Sequence, residues 1–588
     1  MNASPLQLPT TVPTARTASA VALVVAVAAA MFFAGLGSVA LLDRDESLYV
    51  LAALEMQDKG EWLIPSFEGE AFLEKPPMVY WWLRASFRAF GASEVSARLP
   101  SAALGLATCI VTYVLAATVW GPQTGLYAAL ILATSPLFAG VSHMVLTDPS
   151  LVFFTTLSFL FYVLGGSTGR RKLVLAYAAA GLAVLAKGPV GLFPPLVFVI
   201  HEWLSSRDSL GVFVARTFRR HWLPAVVALA IALPWFFCAF LREPQATTDF
   251  FSSQNLARFH RGFQGHTGPL LYYVPVLFGG FLPWSLFLIP LAWRSWPPKG
   301  RPGLPDPAIA LFSVSVLVVF VVFSLAATKL PHYMLPAFPP LACLTARLWT
   351  SPPEGRSTVQ GSTFAMVVLA GLLALAPLAL YALRPQYAGL RLIAPGLAFL
   401  ALSVAALRAA RRDDRRRTFT ATAAASVAFL LGVWTIALPW LDRFRVVKPI
   451  ALALQRTAPP DARVYAYEFR EPSLFFYSRR TFPIVAGSPL EKILCGEPPA
   501  YLVVKESTLG RQVNDAPFVV VASKAGFAEN GGEMTLLLVR TDPERCGQRS
   551  TNTGAESSRT LDVSRARAKS RQEVVQMDFP GLFRRSNR

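Results

Sequence analysis

Charge is scarce in this chain. Charged residues make up 15% of it, against 54% hydrophobic residues, and the mean hydropathy is +0.45. A soluble protein of 588 residues could hardly hide that much apolar surface. Cysteine is scarcer still. The five cysteines are scattered, and no CxxC pair occurs, which argues against a cysteine-based zinc site. Cys109, Cys238 and Cys343 fall in apolar runs and read as packing residues. Cys495 and Cys546 lie in the polar C-terminal part, where a bridge between them and two unrelated thiols are both open readings. Acid is short relative to base, 35 residues against 55, for a net charge of +20. Such a balance invites a nucleic-acid reading, but the placement of the charge argues against it. The basic residues sit in short loops between apolar runs: Arg170-Arg171-Lys172, Arg207 with Arg216, Arg219 and Arg220, Arg294 with Lys299 and Arg301, and Arg408 through Arg417. That is the positive-inside pattern of cytoplasmic loops.

What the chain has in abundance is apolar runs long enough to cross about 30 Å of hydrocarbon. Backbone groups in lipid must be satisfied internally, so such spans are helices. About thirteen are expected, near 18–42, 99–119, 123–141, 149–166, 173–187, 189–204, 222–241, 271–293, 307–328, 332–349, 363–383, 390–407 and 419–441. The run from about Thr17 to Leu42 is longer than a signal-peptide core and is expected to be the first span, entered from the cytoplasm. Odd-numbered spans then run outward and every arginine cluster falls inside.

The same count puts residues 43–98, 142–148 and 242–270 and the turn Lys329-Leu330-Pro331 outside. The first segment is too long for a connector, and two helices lying along the outer membrane surface are expected within it. After about Leu441 the composition changes. Val464–Tyr467, Ala500–Val504 and Thr535–Val539 read as strands and 446–456 as a helix. The expected organisation is a membrane domain over 1–441, a small external α/β domain over 442–546, and a polar, disordered tail over 547–588.

Ionisable groups collect at the outer ends of the spans. Asp43, Asp45 and Glu46 follow the first; Glu74 and Lys75 lie in the first external segment with Tyr80; Asp148 opens the fourth span and Lys187 closes the fifth. Arg258, His260 and His266 lie in the third external segment, and Lys329, His332 and Tyr333 at the turn before the tenth span. Ionisable groups at a membrane boundary mark a pathway or a reaction site. A carboxylate beside an acceptor hydroxyl is a general base, with Asp43 as the alternative to Asp45. Lysine and arginine hold a phosphate and stabilise it as it leaves. Taken singly, each has an ordinary structural reading: Asp45 and Asp148 as helix starts, Lys75, Lys187 and Lys329 as interfacial anchors, Tyr80 and Tyr333 as members of an aromatic belt.

Several strings, in order over roughly residues 40–340, resemble the bacterial aminoarabinose-transferase-like family: Asp45-Glu46-x-x-Tyr49, Phe72-Leu73-Glu74-Lys75-Pro76-Pro77-Met78-Val79-Tyr80-Trp81, Ala97-Arg98-Leu99-Pro100, Thr147-Asp148, Ala186-Lys187-Gly188-Pro189 and Lys329-Leu330-Pro331-His332-Tyr333-Met334-Leu335-Pro336. That family is similar to the protein O-mannosyltransferases and belongs to the GT-C glycosyltransferases. The resemblance implies a polytopic α-helical GT-C fold, a C-terminal periplasmic domain, and sugar transfer from a polyprenyl-phosphate donor to a lipid or glycan acceptor at the periplasmic face of a bacterial inner membrane. It implies Asp45, Lys75 and Asp148 as the catalytic set, with Arg258 as partner of Lys75 on the donor phosphate. Glu46, Glu74, Tyr80, Lys187, Lys329, His332 and Tyr333 are expected to line the substrate pocket. A divalent metal is open, with Glu74, His260 and His266 as its candidate ligands. The chain departs from the family at Leu48, where an arginine is common, and its histidine-bearing segment matches only loosely. The alternatives are a transferase acting on protein hydroxyls and a lipid or solute transporter, although no internal repeat of the transporter kind is evident.

Overall fold

The computed structural model describes residues 15–43, 45–166, 169–206, 208–262, 266–288, 306–351, 357–486, 490–495, 498–512, 518–528 and 532–542. The chain forms two compact units, Met1–Phe444 and Arg445–Arg588. The expected tail lies outside the described residues.

Each apolar run named above contains helix over its described part, though residues 34–42 after the first helix and the turn 281–284 are not helical. Among the described residues, eight helices are long and apolar enough to cross a membrane, or nine if one bent pair counts as a single span. This is a multi-pass membrane protein. The bent pair corrects the expectation of one straight span over 123–141. Helices α5 (Pro122–Ala133) and α6 (Pro136–Ser142) meet at 68°. Pro136 supplies no amide hydrogen, and Ser135 before it is held extended, so the helix cannot continue.

Arg170–Ser205 is one 36-residue apolar stretch, but it folds back on itself. The rings of Tyr177 and Phe198 lie 6.4 Å apart, where a straight helix would separate them by about 31 Å. The reversal falls at Gly188–Leu192, between α8 (Arg170–Lys187) and α9 (Phe193–Ser205). Gly188 ends α8 at φ +72°, and a side chain there would be strained and would press on Phe250.

The segment after α1 (Ala15–Phe33) carries α2 (Glu46–Asp58) and α3 (Met78–Phe90), which pack on each other. Between them a small antiparallel hairpin, β1 (Ser66–Phe67) and β2 (Glu70–Ala71), was not foreseen from the sequence. Helix α4 (Glu94–Trp120) starts at a reciprocal cap, the Ser93 hydroxyl accepting from the Ser96 amide while Ser96 returns the bond. Helix α7 (Asp148–Gly165) starts at Thr147-Asp148-Pro149 and packs along both α4 and α8.

The second unit is a five-stranded mixed sheet of order β4-β3-β5-β7-β6, flanked by helices that include Val447–Thr457. Strand β3 (Arg463–Tyr467) runs parallel to β4 (Ile484–Val485) and β5 (Ala500–Lys505), while β7 (Glu533–Thr541) is antiparallel to β5 and to β6 (Phe518–Phe527). The apolar run of β5 is buried over Ala500–Val504, as suits a central strand covered on both faces. Cys495 is disulfide-bonded; the expected partner, Cys546, lies outside the described residues.

Candidate active site

The site is built around a buried ion pair that fixes the ends of four segments. Arg98, in the first turns of α4, donates Nε to Glu46 Oε1 at 2.8 Å and Nη2 to Glu46 Oε2 at 2.6 Å. The same guanidinium donates to the carbonyls of Leu36, Val39 and Ala40 at 3.1, 2.7 and 3.1 Å. Glu46 accepts in addition from the amides of Leu42 at 2.9 Å and Val145 at 3.0 Å. One bidentate pair thus ties the chain leaving α1, the start of α2, the start of α4 and the loop before α7. Burial by itself would raise the Glu46 carboxyl, but the Arg98 charge and the two amides outweigh it and hold the group below the usual carboxylate range.

This corrects the expectation that Glu46 touches substrate. It is fully buried, and both oxygens are engaged within the protein. Arg98 was legible in the sequence only as part of a resembling string. The signal for its role is a lone guanidinium at the head of an apolar helix, which must find a partner.

Asp45, the residue before this anchored glutamate, caps α2 without a side-chain hydrogen bond to the helix and shows its surface to solvent. Crowding by protein nonetheless pushes its carboxyl up, with Lys75 opposing and Asp148 and Glu46 adding to the rise. A group that is solvent-touched yet desolvated lines a concavity. Lys75 stands in the same concavity, on the loop between β2 and α3, and donates to the Glu74 carbonyl at 3.2 Å. Burial first and Arg258 second bring its ammonium down to about 8, with Lys187 pushing the same way and Glu74 and Asp45 resisting.

Across the concavity, Asp148 and Lys187 pair at 2.6 Å. The two lie at the ends of antiparallel α7 and α8, so helix packing brings them together over 39 residues of sequence. Lys187 also sits 4.8 Å over the ring of Tyr333, and His332 Nε2 lies 4.0 Å from the other Asp148 oxygen. Arg258 is steadied by Gln254 at 2.5 Å, and its segment is clipped to the next turn by backbone bonds from Ala327 to Phe259, Thr328 to Arg258 and Lys329 to His266. His266 acts electrostatically on both Asp45 and His332. Asp45, Glu74, Lys75, Asp148, Lys187, Arg258, His266, His332 and Tyr333 therefore share one neighbourhood.

Three other candidates fall elsewhere. Lys329 is buried and donates to the carbonyls of Phe323 and Ser324 at 3.0 and 2.5 Å, closing the end of the helix Pro307–Leu325 instead of facing substrate. Tyr80 has no accessible surface; it packs edge-on against Tyr49 at 6.1 Å. His260 is exposed beside Phe259. Among the described residues no three His, Cys, Asp or Glu side chains come together to hold a metal ion, so Glu74, His260 and His266 do not form a ligand set.

The arrangement interleaves carboxylates (Asp45, Glu74, Asp148) with cations (Lys75, Lys187, Arg258). It can bind a phosphate with lysine and arginine while a carboxylate accepts a proton from a neighbouring hydroxyl.

Residues 74–237 match the family described as dolichyl-phosphate-mannose-protein mannosyltransferase. The chain is 29% identical over 406 residues, 67% of this chain and 69% of the relative, to undecaprenyl phosphate-alpha-4-amino-4-deoxy-L-arabinose arabinosyl transferase 1 of Pseudomonas fluorescens (strain Pf0-1). It is 28% identical over 411 residues to the corresponding transferase of Enterobacter sp. (strain 638), covering 67% and 72% of the two chains. The fold is similar to the crystal structure of ArnT from Cupriavidus metallidurans bound to undecaprenyl phosphate, with a TM-score of 0.73 at 23% identity, covering 88% of this chain and 97% of that one.

Proposed function

We propose that the chain is an aminoarabinose-transferase-like glycosyltransferase of the GT-C class that moves a sugar from a polyprenyl-phosphate donor to lipid A or a related glycolipid, a reading supported by its likeness to the arabinosyl transferases and by its fold. The observation that carries this reading is the meeting of Lys75, Arg258 and Lys187 with Asp45 and Asp148 in one concavity. The proposal places the site at the periplasmic face of a bacterial inner membrane, within about thirteen crossings over residues 1–441, with 442–546 as a periplasmic domain.

In the reaction, Lys75 and Arg258 hold the donor phosphate. The acceptor hydroxyl oxygen attacks the anomeric carbon as the bond from that carbon to the phosphate oxygen breaks. The bonding pair leaves with the phosphate, where the two cations stabilise the growing charge. Asp45 receives the hydroxyl proton, and its raised affinity for a proton brings it closer to the operating pH, where a general base works best. Asp148 holds Lys187 over Tyr333 at the pocket wall. Glu46 and Arg98 position Asp45 by fixing the turn that carries it. Among the described residues no metal-ligand set forms, and no step here is routed through a metal.

A second reading, transfer to protein hydroxyls, is favoured by the match of residues 74–237 to the mannosyltransferase description. A transporter is set aside, since the ionisable groups gather at one end of the helices and not at their midpoint. Mass spectrometry of lipid A and of glycoproteins from cells with and without the gene separates the two acceptors. A sugar lost from lipid A supports the glycolipid reading, and a sugar lost only from protein overturns it.

A further inference from the structure

The described residues include a cavity of about 690 Å³ far in sequence from the transfer site, in the angle between the helices Ile393–Arg411 and Arg415–Gly432. Its rim is formed by Arg408, Arg412 and Arg417 with Asp414, and its floor by small side chains such as Ala405 and Ala424. Three guanidiniums against one carboxylate leave two positive charges in excess. Asp414 takes up part of one, pairing with Arg417 at 3.2 Å and accepting from the Arg417 amide at 2.9 Å. Arg408 and Arg412 are exposed, and among the described residues their guanidiniums have no side-chain partner.

The rim is held in place by contacts that do not use the guanidiniums of Arg408 and Arg412. Arg415 turns away from the cavity and donates to the Ser351 carbonyl at 2.7 Å. Gln360 donates to the Ala410 carbonyl at 3.3 Å. The helix after the turn begins with Asp414 as its cap.

The shape decides what fits. Both helices are long and apolar enough to cross a membrane. From Arg412 to Ala405 the cavity runs about 10 Å down the helix axis. A cationic mouth therefore continues into an uncharged trough that faces lipid. A small free anion would satisfy the mouth and leave the trough to water. A glycerophospholipid satisfies both, with its phosphate on the guanidiniums and its glycerol and upper acyl chain along the alanines.

We propose that this cavity is a binding site for the headgroup of an anionic glycerophospholipid, in the leaflet on the arginine-rich side of the protein. The site is separate from the transfer reaction and holds a resident lipid in place of a substrate.

The test uses the full chain, purified and stripped of lipid in mild detergent, with native mass spectrometry as the readout. Wild type is titrated with phosphatidylglycerol, with phosphatidylcholine, and with phosphatidylglycerol in the presence of inorganic phosphate. The pair R408Q/R412Q is compared with R411Q/R416Q, which removes the same two charges from the same turn but from outside the cavity. The expected result is selective retention of phosphatidylglycerol by wild type, little displacement by millimolar inorganic phosphate, and affinity weakened at least about tenfold in R408Q/R412Q but less than about threefold in R411Q/R416Q. Equal weakening in the two pairs would mean that only the general charge of the turn attracts lipid. No weakening in R408Q/R412Q, equal retention of phosphatidylcholine, or ready displacement by inorganic phosphate would each overturn the site. Because the pairs match in net charge, a folding or topology defect from charge loss would appear in both and is read from their unfolding temperatures.

Discussion

Asp45 and Glu46 are covalent neighbours with opposite surroundings. Glu46 points into the protein, where Arg98 and two backbone amides use both of its oxygens. Asp45 is exposed and caps its helix without a side-chain hydrogen bond, beside Lys75 and Asp148, and its own carboxyl is pushed up. The first is a closed account of charge; the second is an open one, and an open one is what a charged substrate can complete. A buried pair of the Glu46–Arg98 kind gives little net stability relative to an apolar core, but losing one member strands the other charge. Its value here is that it sets the direction of the residue next to it.

That contrast is broken most severely at Asp45 itself. Asp45→Asn keeps the shape of the turn and removes the base, so turnover is expected to fall by about a thousandfold or more with the fold intact. The check is the rate of sugar transfer from a polyprenyl-phosphate donor by purified protein. A variant at the wild-type rate would move the base to another group, with Asp43 the first to be tried by the same substitution.

Lys75→Ala removes a cation from the leaving phosphate and is expected to cost about a hundredfold in turnover, in line with loss of one preorganised electrostatic contact. An unchanged rate at saturating donor would make Lys75 an interfacial anchor.

On the closed side of the comparison, Arg98→Met strands the Glu46 charge and is expected to cost about 3–5 kcal/mol of stability. Glu46→Gln added to Arg98→Met should restore part of it. Thermal unfolding of the purified proteins measures both. A single variant as stable as wild type would show that the pair does not organise the site.

The smallest effect is on pH dependence. A cationic Lys75 is needed to receive the phosphate, and its ammonium titrates at about 8 in the free protein. kcat/KM should therefore fall as pH rises through about 8, and fall again at acid pH as Asp45 becomes protonated. Lys75→Arg keeps its charge across that range and should erase the alkaline limb while leaving the acid one. A profile with the alkaline limb intact in Lys75→Arg would assign that limb to another group.

Much of this was legible before any coordinates. Asp45, Lys75, Asp148, Lys187, Arg258 and Tyr333 were each visible as polar groups at the ends of apolar runs, and the structure gathers them. What could not be read was direction. Glu46 and Asp45 differ by one position, which on a helix start turns one side chain inward and the next outward. Lys329 lies in a string as distinctive as that of Lys75, yet it folds back onto two carbonyls. The bend at Pro136 and the hairpin 66–71 depend on local geometry that hydropathy does not register.

The central claim is that the donor phosphate rests on Lys75 and Arg258. The most direct measurement is an experimental structure of the full chain with undecaprenyl phosphate. The account predicts the phosphate within about 4 Å of the Lys75 ammonium, on the Asp45 side of the concavity. A phosphate lodged away from Lys75, including one held only by Arg408 and Arg412 in the distant cavity, would contradict it.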